Sequence, residues 1–182
     1  MTRRAVAPVP DLRETILAAW RTNCRVTAWL VEHLPADLWD ASLPGAPRRT
    51  GRSLMAHLHN ARSRWIRTLG EAHGIARPPL VDPRTVTRRS LLAALRKSGR
   101  GIESILQLGL ANGGQVPPSK AYVWRNLPLD VGHVLTYFVA HEAHHRGQIV
   151  LMARQLGRRL PREVSGELWQ WTRRAREVSS AR

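Results

Sequence analysis

The sequence predicts an all-α fold, a four-helix bundle that ends in a short C-terminal helix. Apolar residues recur every three or four positions along four long segments, which is the period of an amphipathic helix. No stretch alternates convincingly between polar and apolar residues, as strands would, and loops rich in Pro and Gly separate the periodic segments. The 182 residues suit one domain, so we expect a single domain over residues 1–182 with its core at about 11–171.

The first two predicted helices each begin at a good N-cap. Asp11 opens the first helix, which ends before Pro35, and Thr50 opens the second, which runs to about Gly74. A loop at residues 43–47 joins them. The residues at helical spacing are Leu12, Ile16, Trp20, Thr27, Leu30 and Leu34 in the first helix, and Leu54, Leu58, Trp65 and Leu69 in the second.

The remaining helices follow a crossover linker at residues 76–82. Thr87 caps a third helix that extends through Leu108, and we expect its two central glycines at 99 and 101 to weaken it. Asp130 caps a fourth helix that stops at Gly157. A fifth, short helix is predicted from about residue 166 to 178.

The charge and the single cysteine limit the classes of function. A net charge of +16 would attract nucleic acid, but no recognition motif accompanies it, so we expect only weak, salt-sensitive binding without sequence preference. The chain carries no apolar segment of membrane-spanning length and no signal-peptide pattern, which predicts a cytoplasmic protein without membrane contact. Cys24 cannot form an intrachain disulfide and is expected to act as a small buried apolar residue.

Histidines on two predicted helices are the strongest sign of chemistry. His141 and His145 are one turn apart in the fourth helix, with Gln148 on the same stripe, and so could bind one metal ion. Because Val134 and Tyr137 continue that stripe, we expect it to face the interior. In the second helix His57 and His59 point nearly opposite ways, and geometry alone does not choose between them.

The motifs around these histidines resemble those of a known family. Residues 50–60 read TGRSLMAHLHN and residues 141–149 read HEAHHRGQI. In the tail, residues 153–161 read ARQLGRRLP and residues 168–171 read LWQW. This pattern resembles the DinB-like (DinB/YfiT) superfamily, whose members are four-helix bundles, commonly homodimers. The resemblance implies metal ligands at His57, His141 and His145, with His59 as the alternative to His57.

The resemblance also implies a chemistry. Three histidines leave a coordination position open on an ion such as zinc or nickel, with iron also suitable. Family members include metal-dependent S-transferases that use bacillithiol or mycothiol, while others are metal-binding stress-response proteins without established catalysis. On the transferase reading we expect Glu142 or Tyr137 to manage a proton and Gln148 to orient a ligand. Arg62, Arg64 or Arg146 would form a basic pocket wall.

Two further hypotheses concern a protease motif and a dimer. Residues 141–145 also satisfy H-E-x-x-H, in which Glu142 would be the general base and Glu163 or Glu167 a third ligand. The absence of a substrate-aligning strand pattern makes that reading the weaker one. A homodimer is expected through bundle faces rich in Leu and Trp, with Trp29 and Trp39 as candidate contacts.

Overall fold

The computed structural model describes residues 11–180 and confirms an all-α protein. The elements in chain order are α1 (Leu12–His33), α2 (Ala36–Trp39), β1 (Ser42–Leu43), β2 (Ala46–Thr50), α3 (Gly51–Leu69), α4 (Arg88–Ala111), α5 (Val131–Gln155), α6 (Arg162–Ser165) and α7 (Trp171–Ser179), with 3₁₀ turns at Glu71–His73 and Gly166–Trp169. The four long helices α1, α3, α4 and α5 correspond to the four predicted ones.

The predicted N-caps begin all four long helices. The side chains of Asp11, Thr50, Thr87 and Asp130 each accept a hydrogen bond from a backbone N–H in the first turn. At α3 the cap is reciprocal, because the Ser53 hydroxyl in turn accepts from the Thr50 backbone N–H at 2.8 Å. These bonds satisfy donors that a helix N-terminus otherwise leaves without partners.

The structure corrects two predictions, one about the loop before α3 and one about the C-terminal helix. The loop before α3 contains a two-stranded antiparallel hairpin, β1–β2, which turns at Gly45 with a left-handed φ of +73°. Its strands are too short to show alternation in the sequence. The predicted fifth helix is divided, because Gln170 leaves the helical conformation (ψ 58°) between the 3₁₀ turn and α7.

The two central glycines do not interrupt the third predicted helix, since α4 runs unbroken from Arg88 to Ala111. A Cβ at Gly101 would lie 2.4 Å from Cδ1 of Ile66, so the glycine lets α3 and α4 approach closely. The carbonyl of Gly99 accepts the indole N–H of Trp20 at 2.9 Å. Both glycines therefore serve the packing of neighbouring helices.

The long helices share an apolar interior. Each of α1, α3 and α4 contacts α5, and α4 also contacts α1 and α3. One end of the interior contains Leu30, Leu38, Leu58, Leu91 and Ile149, and the other contains Trp20, Ile66, Ile105, Val134 and Phe138. This packing fixes α3 and α5, the two helices that carry the candidate ligands, relative to one another.

The C-terminal helix α7 is attached to α1 by a buried arginine. The guanidinium of Arg174 lies 4.1 Å from the ring centroid of Trp29 and pairs with Glu167 and Glu177 at 2.9 and 2.8 Å. Arg174 itself is fully buried. Because Arg174 covers its ring, Trp29 is less available for the dimer contact that we predicted for it.

The other tryptophan predicted at a dimer face is also turned inward. Trp39 is buried, with the guanidinium groups of Arg52 and Arg88 within 6.0 and 5.0 Å of its ring. The exposed tryptophans are Trp124 and Trp169. Within residues 11–180, no helix combines the length and the apolar character that a bilayer crossing requires.

Candidate metal centre

Three histidines from two helices converge at one point. The Nε2 atom of His141 lies 3.3 Å from Nε2 of His57 on α3 and 3.2 Å from Nε2 of His145, one turn further along α5. In the part of the chain that the structure describes, these three residues form the one cluster able to hold a metal ion, with ligand atoms within 4.8 Å of one another. The structure thus brings together the three residues that the family resemblance implied.

The spacing of the three nitrogens fits a divalent ion. Zinc–nitrogen bonds of about 2.0–2.1 Å in a tetrahedral site place neighbouring nitrogens about 3.3–3.4 Å apart, close to the distances found here. Three neutral imidazoles with Nε2 facing inward would also bring three lone pairs together. A cation bound by the lone pairs removes that repulsion, so the chemistry of the donor set fits a metal.

His59, the alternative ligand, lies elsewhere. It is fully buried, and its two ring nitrogens are within hydrogen-bond distance of the Ser98 hydroxyl (3.1 Å) and the Pro79 carbonyl oxygen (2.9 Å). Both polar atoms are therefore satisfied by α4 and by the linker before it. The geometry selects His57 from the pair that the sequence left open.

The ligand stripe of α5 lies at the edge of the interior rather than at its centre. His57, His141 and His145 are each partly exposed, whereas Glu142, one position on, is 1% exposed. The prediction that the histidines face the interior is corrected in this respect. A partly open site is the arrangement that leaves a metal position accessible to an outside molecule.

Gln148 orients His145, one of the three clustered histidines. Its Oε1 accepts from Nδ1 of His145 at 2.8 Å, and its Nε2 donates to Nε2 of the exposed His144 at 2.9 Å. A proton held on Nδ1 leaves the Nε2 lone pair of His145 free to face the cluster. This is the usual way in which an outer hydrogen bond fixes the tautomer of a metal-binding histidine.

Replacing Gln148 with leucine is expected to weaken metal binding by about 10- to 100-fold, the usual cost of losing an outer partner of a ligating histidine. Competition with a coloured chelator measures this. His144→Ala is the matched control, since that ring contacts Gln148 without reaching the Nε2 cluster, and it should change the affinity little. Equal losses in the two variants would show that Gln148 does not act through His145.

Aromatic side chains cover the other side of His141. The ring of Tyr137 stacks on His141 with centroids 6.0 Å apart, and its hydroxyl accepts from Nε1 of Trp65 at 3.3 Å. Trp124 packs edge-on against Trp65. Tyr137 thus lies beside the cluster, as its predicted role in proton handling requires, and it also packs against the apolar interior.

Burial and mutual repulsion lower the pKa of all three histidines. Burial is the largest cause of the lowered pKa for each ring. A neighbouring imidazole lowers each pKa further, and the pKa of His141 falls to about 4. The positive charges of Arg49 and Arg64 lower the pKa of His57 further. All three rings are therefore neutral at pH 7, which is the protonation state that binds metal.

Metal affinity is expected to withstand mild acid. Protons compete with a metal only below the pKa of the metal-free ligands, and here those values lie below the ordinary 6.5. Between pH 8 and 6.5 the affinity should therefore fall less than that of a site built from histidines of ordinary pKa. Chelator titrations across pH 5–8 test this, and a tenfold loss between pH 7.5 and 6.5 would contradict it.

Glu142 lies in a buried ionic cluster rather than beside the metal position. Its Oε1 accepts from Nε of Arg62 at 2.6 Å, and its Oε2 accepts from Asn23 at 2.9 Å and from the Thr27 hydroxyl at 2.7 Å. Arg146 donates to the same Thr27 hydroxyl at 2.7 Å. Because both carboxylate oxygens are engaged in the interior, the geometry does not favour the proton-handling role predicted for Glu142.

The same buried cluster contradicts the prediction that Arg62 and Arg146 form a basic pocket wall. Arg62 is 1% exposed and Arg146 is 7% exposed, so neither guanidinium is displayed beside the histidines. The two side chains instead pair with the carboxylate of Glu142. Arg146 also borders a groove on the opposite side of α5, with Ala143, Gly147 and Trp169.

The protease interpretation of residues 141–145 is likewise not supported. The general base of such a site must reach a metal-bound water, whereas Glu142 is held by Arg62. Glu167, a candidate third ligand, pairs with Arg173 and Arg174 at 2.9 Å. The third nitrogen at the cluster comes from His57, which lies upstream in the sequence and not downstream.

An open cavity adjoins the histidines. It has a volume of about 380 Å³ and is lined by Arg49, Ser53, Leu54, His57, Asn60, Arg64, Pro83 and His145. Arg64 was among the predicted wall residues, whereas Arg49 was missed. Arg49 precedes the Thr50 cap in β2, and the unrecognised hairpin is what brings it to the cavity.

One wall of the cavity is the linker between α3 and α4, which α3 holds by side-chain bonds. Asn60 exchanges two hydrogen bonds of 2.9 Å with the backbone N–H and C=O of Val81, and Ser63 donates to the Pro78 carbonyl oxygen at 2.5 Å. The bond between His59 and Pro79 completes the set. These contacts position Pro83 at the rim.

Cys24 takes no part in the site. Burial raises the pKa of its thiol to about 12, so it stays protonated at neutral pH. This agrees with its predicted role as a small, unreactive side chain. A thiolate at the metal would have to come from outside the protein.

Comparison with known proteins assigns the chain to a family. No curated protein matches it. The sequence model of the DinB family matches residues 8–172, which include all three clustered histidines, the Glu142 carboxylate and the linker. This match spans most of the sequence and agrees with the helical fold and the His57–His141–His145 cluster; the chain belongs to the DinB family.

Proposed function

We propose that the protein binds one divalent metal ion through His57, His141 and His145 and uses it to transfer a low-molecular-weight thiol to an electrophile. The observation that carries the proposal is the convergence of three Nε2 atoms beside an open cavity. Three protein ligands with an open position are typical of catalytic rather than structural zinc sites. We propose zinc or nickel as the ion, and iron is also compatible with imidazole donors.

The bound ion would supply Lewis acidity, which lowers the pKa of a coordinating thiol below its free value of about 8.5. The three histidines carry no charge of their own, so they leave the ion's charge available to an anionic ligand. In the reaction the S–H bond breaks and the proton passes to solvent through the open cavity. The sulfur electron pair then forms the bond to the electrophilic carbon, and the leaving group departs with its electrons.

The residues around the cluster would set the reacting geometry. Gln148 holds His145 in the tautomer that faces the ion, and the ring of Tyr137 supports His141. The partly exposed Tyr137 and the exposed Trp124, both packed against the buried Trp65, would offer an apolar surface for the electrophile. Tyr137, whose ring stacks on His141, is the residue that we propose for passing the proton on to solvent, because Glu142 is committed to Arg62.

The metal-loaded protein is expected to accelerate conjugation of bacillithiol or mycothiol to a reactive electrophile such as a chlorodinitrobenzene, and His141→Ala should reduce the rate to that of free thiol. His73→Ala is the control, since it removes an exposed histidine that belongs neither to the cluster nor to the cavity wall. Absorbance of the conjugate follows the reaction.

A different result would favour the alternative function, a non-catalytic metal-binding stress-response protein. If the loaded protein is no faster than free thiol across a panel of electrophiles, and no thiol perturbs the spectrum of the cobalt-substituted protein, the transferase function is excluded. We also propose that the helices form the four-helix bundle of the DinB/YfiT type and that two copies associate. Light scattering at micromolar concentration tests that association.

A further inference from the structure

We propose that the cavity beside the histidines is a receptor for a dianionic group, and that Arg49 and Arg64 are the residues that select it. The molecule bound there would carry two carboxylates or one phosphate in addition to the atom that reaches the metal. This inference rests on the proposed function, because it concerns the second end of a ligand whose first end is at the cluster.

The wall of the cavity is basic. Arg49 and Arg64 line the same cavity as His57 and His145, and none of the described lining residues is acidic. Asn60 is the one amide in the wall, and both its polar atoms are bonded to Val81. The polar groups left facing the cavity are thus predominantly hydrogen-bond donors, and the two arginines among them carry positive charge.

Neither arginine at the cavity is already neutralised by an acid of the described part of the chain, and both side chains are exposed. Arg49 and Arg64 form no ion pair with any acid within residues 11–180. Two guanidinium groups beside one cavity therefore have their bidentate donors available for an outside anion.

The positive charges at an occupied site would outnumber the charge of a simple thiolate. A divalent ion held by three neutral histidines keeps its two positive charges, and the two arginines add two more. A single thiolate neutralises only one of the four. A ligand that also carries a dianion brings the local charge near balance, whereas a neutral or cationic ligand leaves it strongly positive.

Arg64 lies at a distance from the histidines that one small molecule can span. Arg64 follows His57 by seven residues on α3, two turns on nearly the same stripe, which separates their Cα atoms by about 10 Å along the helix axis. The cavity volume of about 380 Å³ lies within the range of small-molecule sites. A ligand of several carbon atoms can therefore contact the cluster with one end and an arginine with the other.

The test measures thiol binding to the cobalt-substituted protein through the sulfur-to-cobalt charge-transfer band. The probes are 2-mercaptoethanol, mercaptosuccinate and 2-mercaptoethyl phosphate, compared in the native protein and in Arg49→Gln, Arg64→Gln and the double variant. Arg176→Gln is the control, because it removes the same charge from the exposed face of α7. The last two probes distinguish a carboxylate ligand from a phosphate ligand.

We expect at least one dianionic thiol to bind about tenfold more tightly in the native protein than in the double variant, in line with the loss of charge-assisted bonds. The affinity for 2-mercaptoethanol should be unchanged in all variants, and Arg176→Gln should match the native protein. The dianion preference should also weaken with added salt. Equal losses for neutral and dianionic thiols, or equal losses in Arg176→Gln, would overturn the proposal.

The failure of the proposed function would look different. If no thiol produces a charge-transfer band, thiol activation fails, and the receptor is then judged by binding of succinate and inorganic phosphate to the metal-free protein. Chemical-shift titration should show binding of at least one anion that is lost in the double variant. Absence of binding, or binding unaffected by the double substitution, would overturn the receptor as well.

Discussion

Replacing Glu142 with alanine is expected to lower the free energy of unfolding by about 3–5 kcal/mol, the largest stability effect of a single substitution that we predict. The change leaves Arg62 and Arg146 buried without their common carboxylate, and it removes the acceptor of Asn23 and Thr27. Desolvated like charges without a counterion are what makes such a change costly. Urea denaturation followed by circular dichroism gives the value.

The control for this prediction is Glu163→Ala. Glu163 is an exposed carboxylate on α6, and its loss should change stability by no more than about 0.5 kcal/mol. If Glu142→Ala is too unstable to purify, Glu142→Gln retains the shape and part of the hydrogen bonding and should be intermediate. A loss below about 1 kcal/mol for Glu142→Ala would show that the ionic cluster is not a determinant of stability.

His141→Ala is expected to abolish metal binding in practice, with an affinity loss of more than about 100-fold, because removal of even an outer partner of a ligand costs about 10- to 100-fold. His141 is the ring common to both short contacts, 3.3 Å from His57 and 3.2 Å from His145. Its removal leaves two nitrogens on different helices. Metal analysis of the purified protein, followed by chelator competition, measures the loss.

Two histidine variants make this assignment testable. His144→Ala removes an exposed ring next to the cluster and should retain about one ion per chain. His59→Ala should also retain the ion but lose stability, since it opens the buried contacts to Ser98 and Pro79. Full metal occupancy in His141→Ala, or loss of the ion from His59→Ala together with retention in His57→Ala, would show that the ligand set is wrong.

The sequence predicted the parts of this protein that depend on local chemistry. The N-caps at Asp11, Thr50, Thr87 and Asp130 were correct, because capping needs only a side chain and the first turn that follows it. The spacing of His141 and His145 placed both rings on one face for a similar reason. The choice of His57 came from the family resemblance, since helical period alone leaves His57 and His59 equivalent.

What the sequence did not predict depends on contacts between distant segments. The role of Glu142 is fixed by Arg62 and by residues of α1, more than 75 positions away in the chain. On α5 the charged residue Glu142 is buried while the neighbouring His141 and His145 are partly exposed, so the stripe that looked interior proved to be at the edge. Arg49 was missed because the hairpin that carries it has strands of two and five residues.

The linker between α3 and α4 has a consequence for how binding preference can diversify. His59, Asn60 and Ser63 hold residues 78–81 through main-chain atoms, which every amino acid possesses. The path of the linker is therefore largely independent of its own side chains. Substitutions at the rim position Pro83 and its neighbours can alter which molecules enter, while the metal-binding helices keep their geometry and the protein keeps its stability.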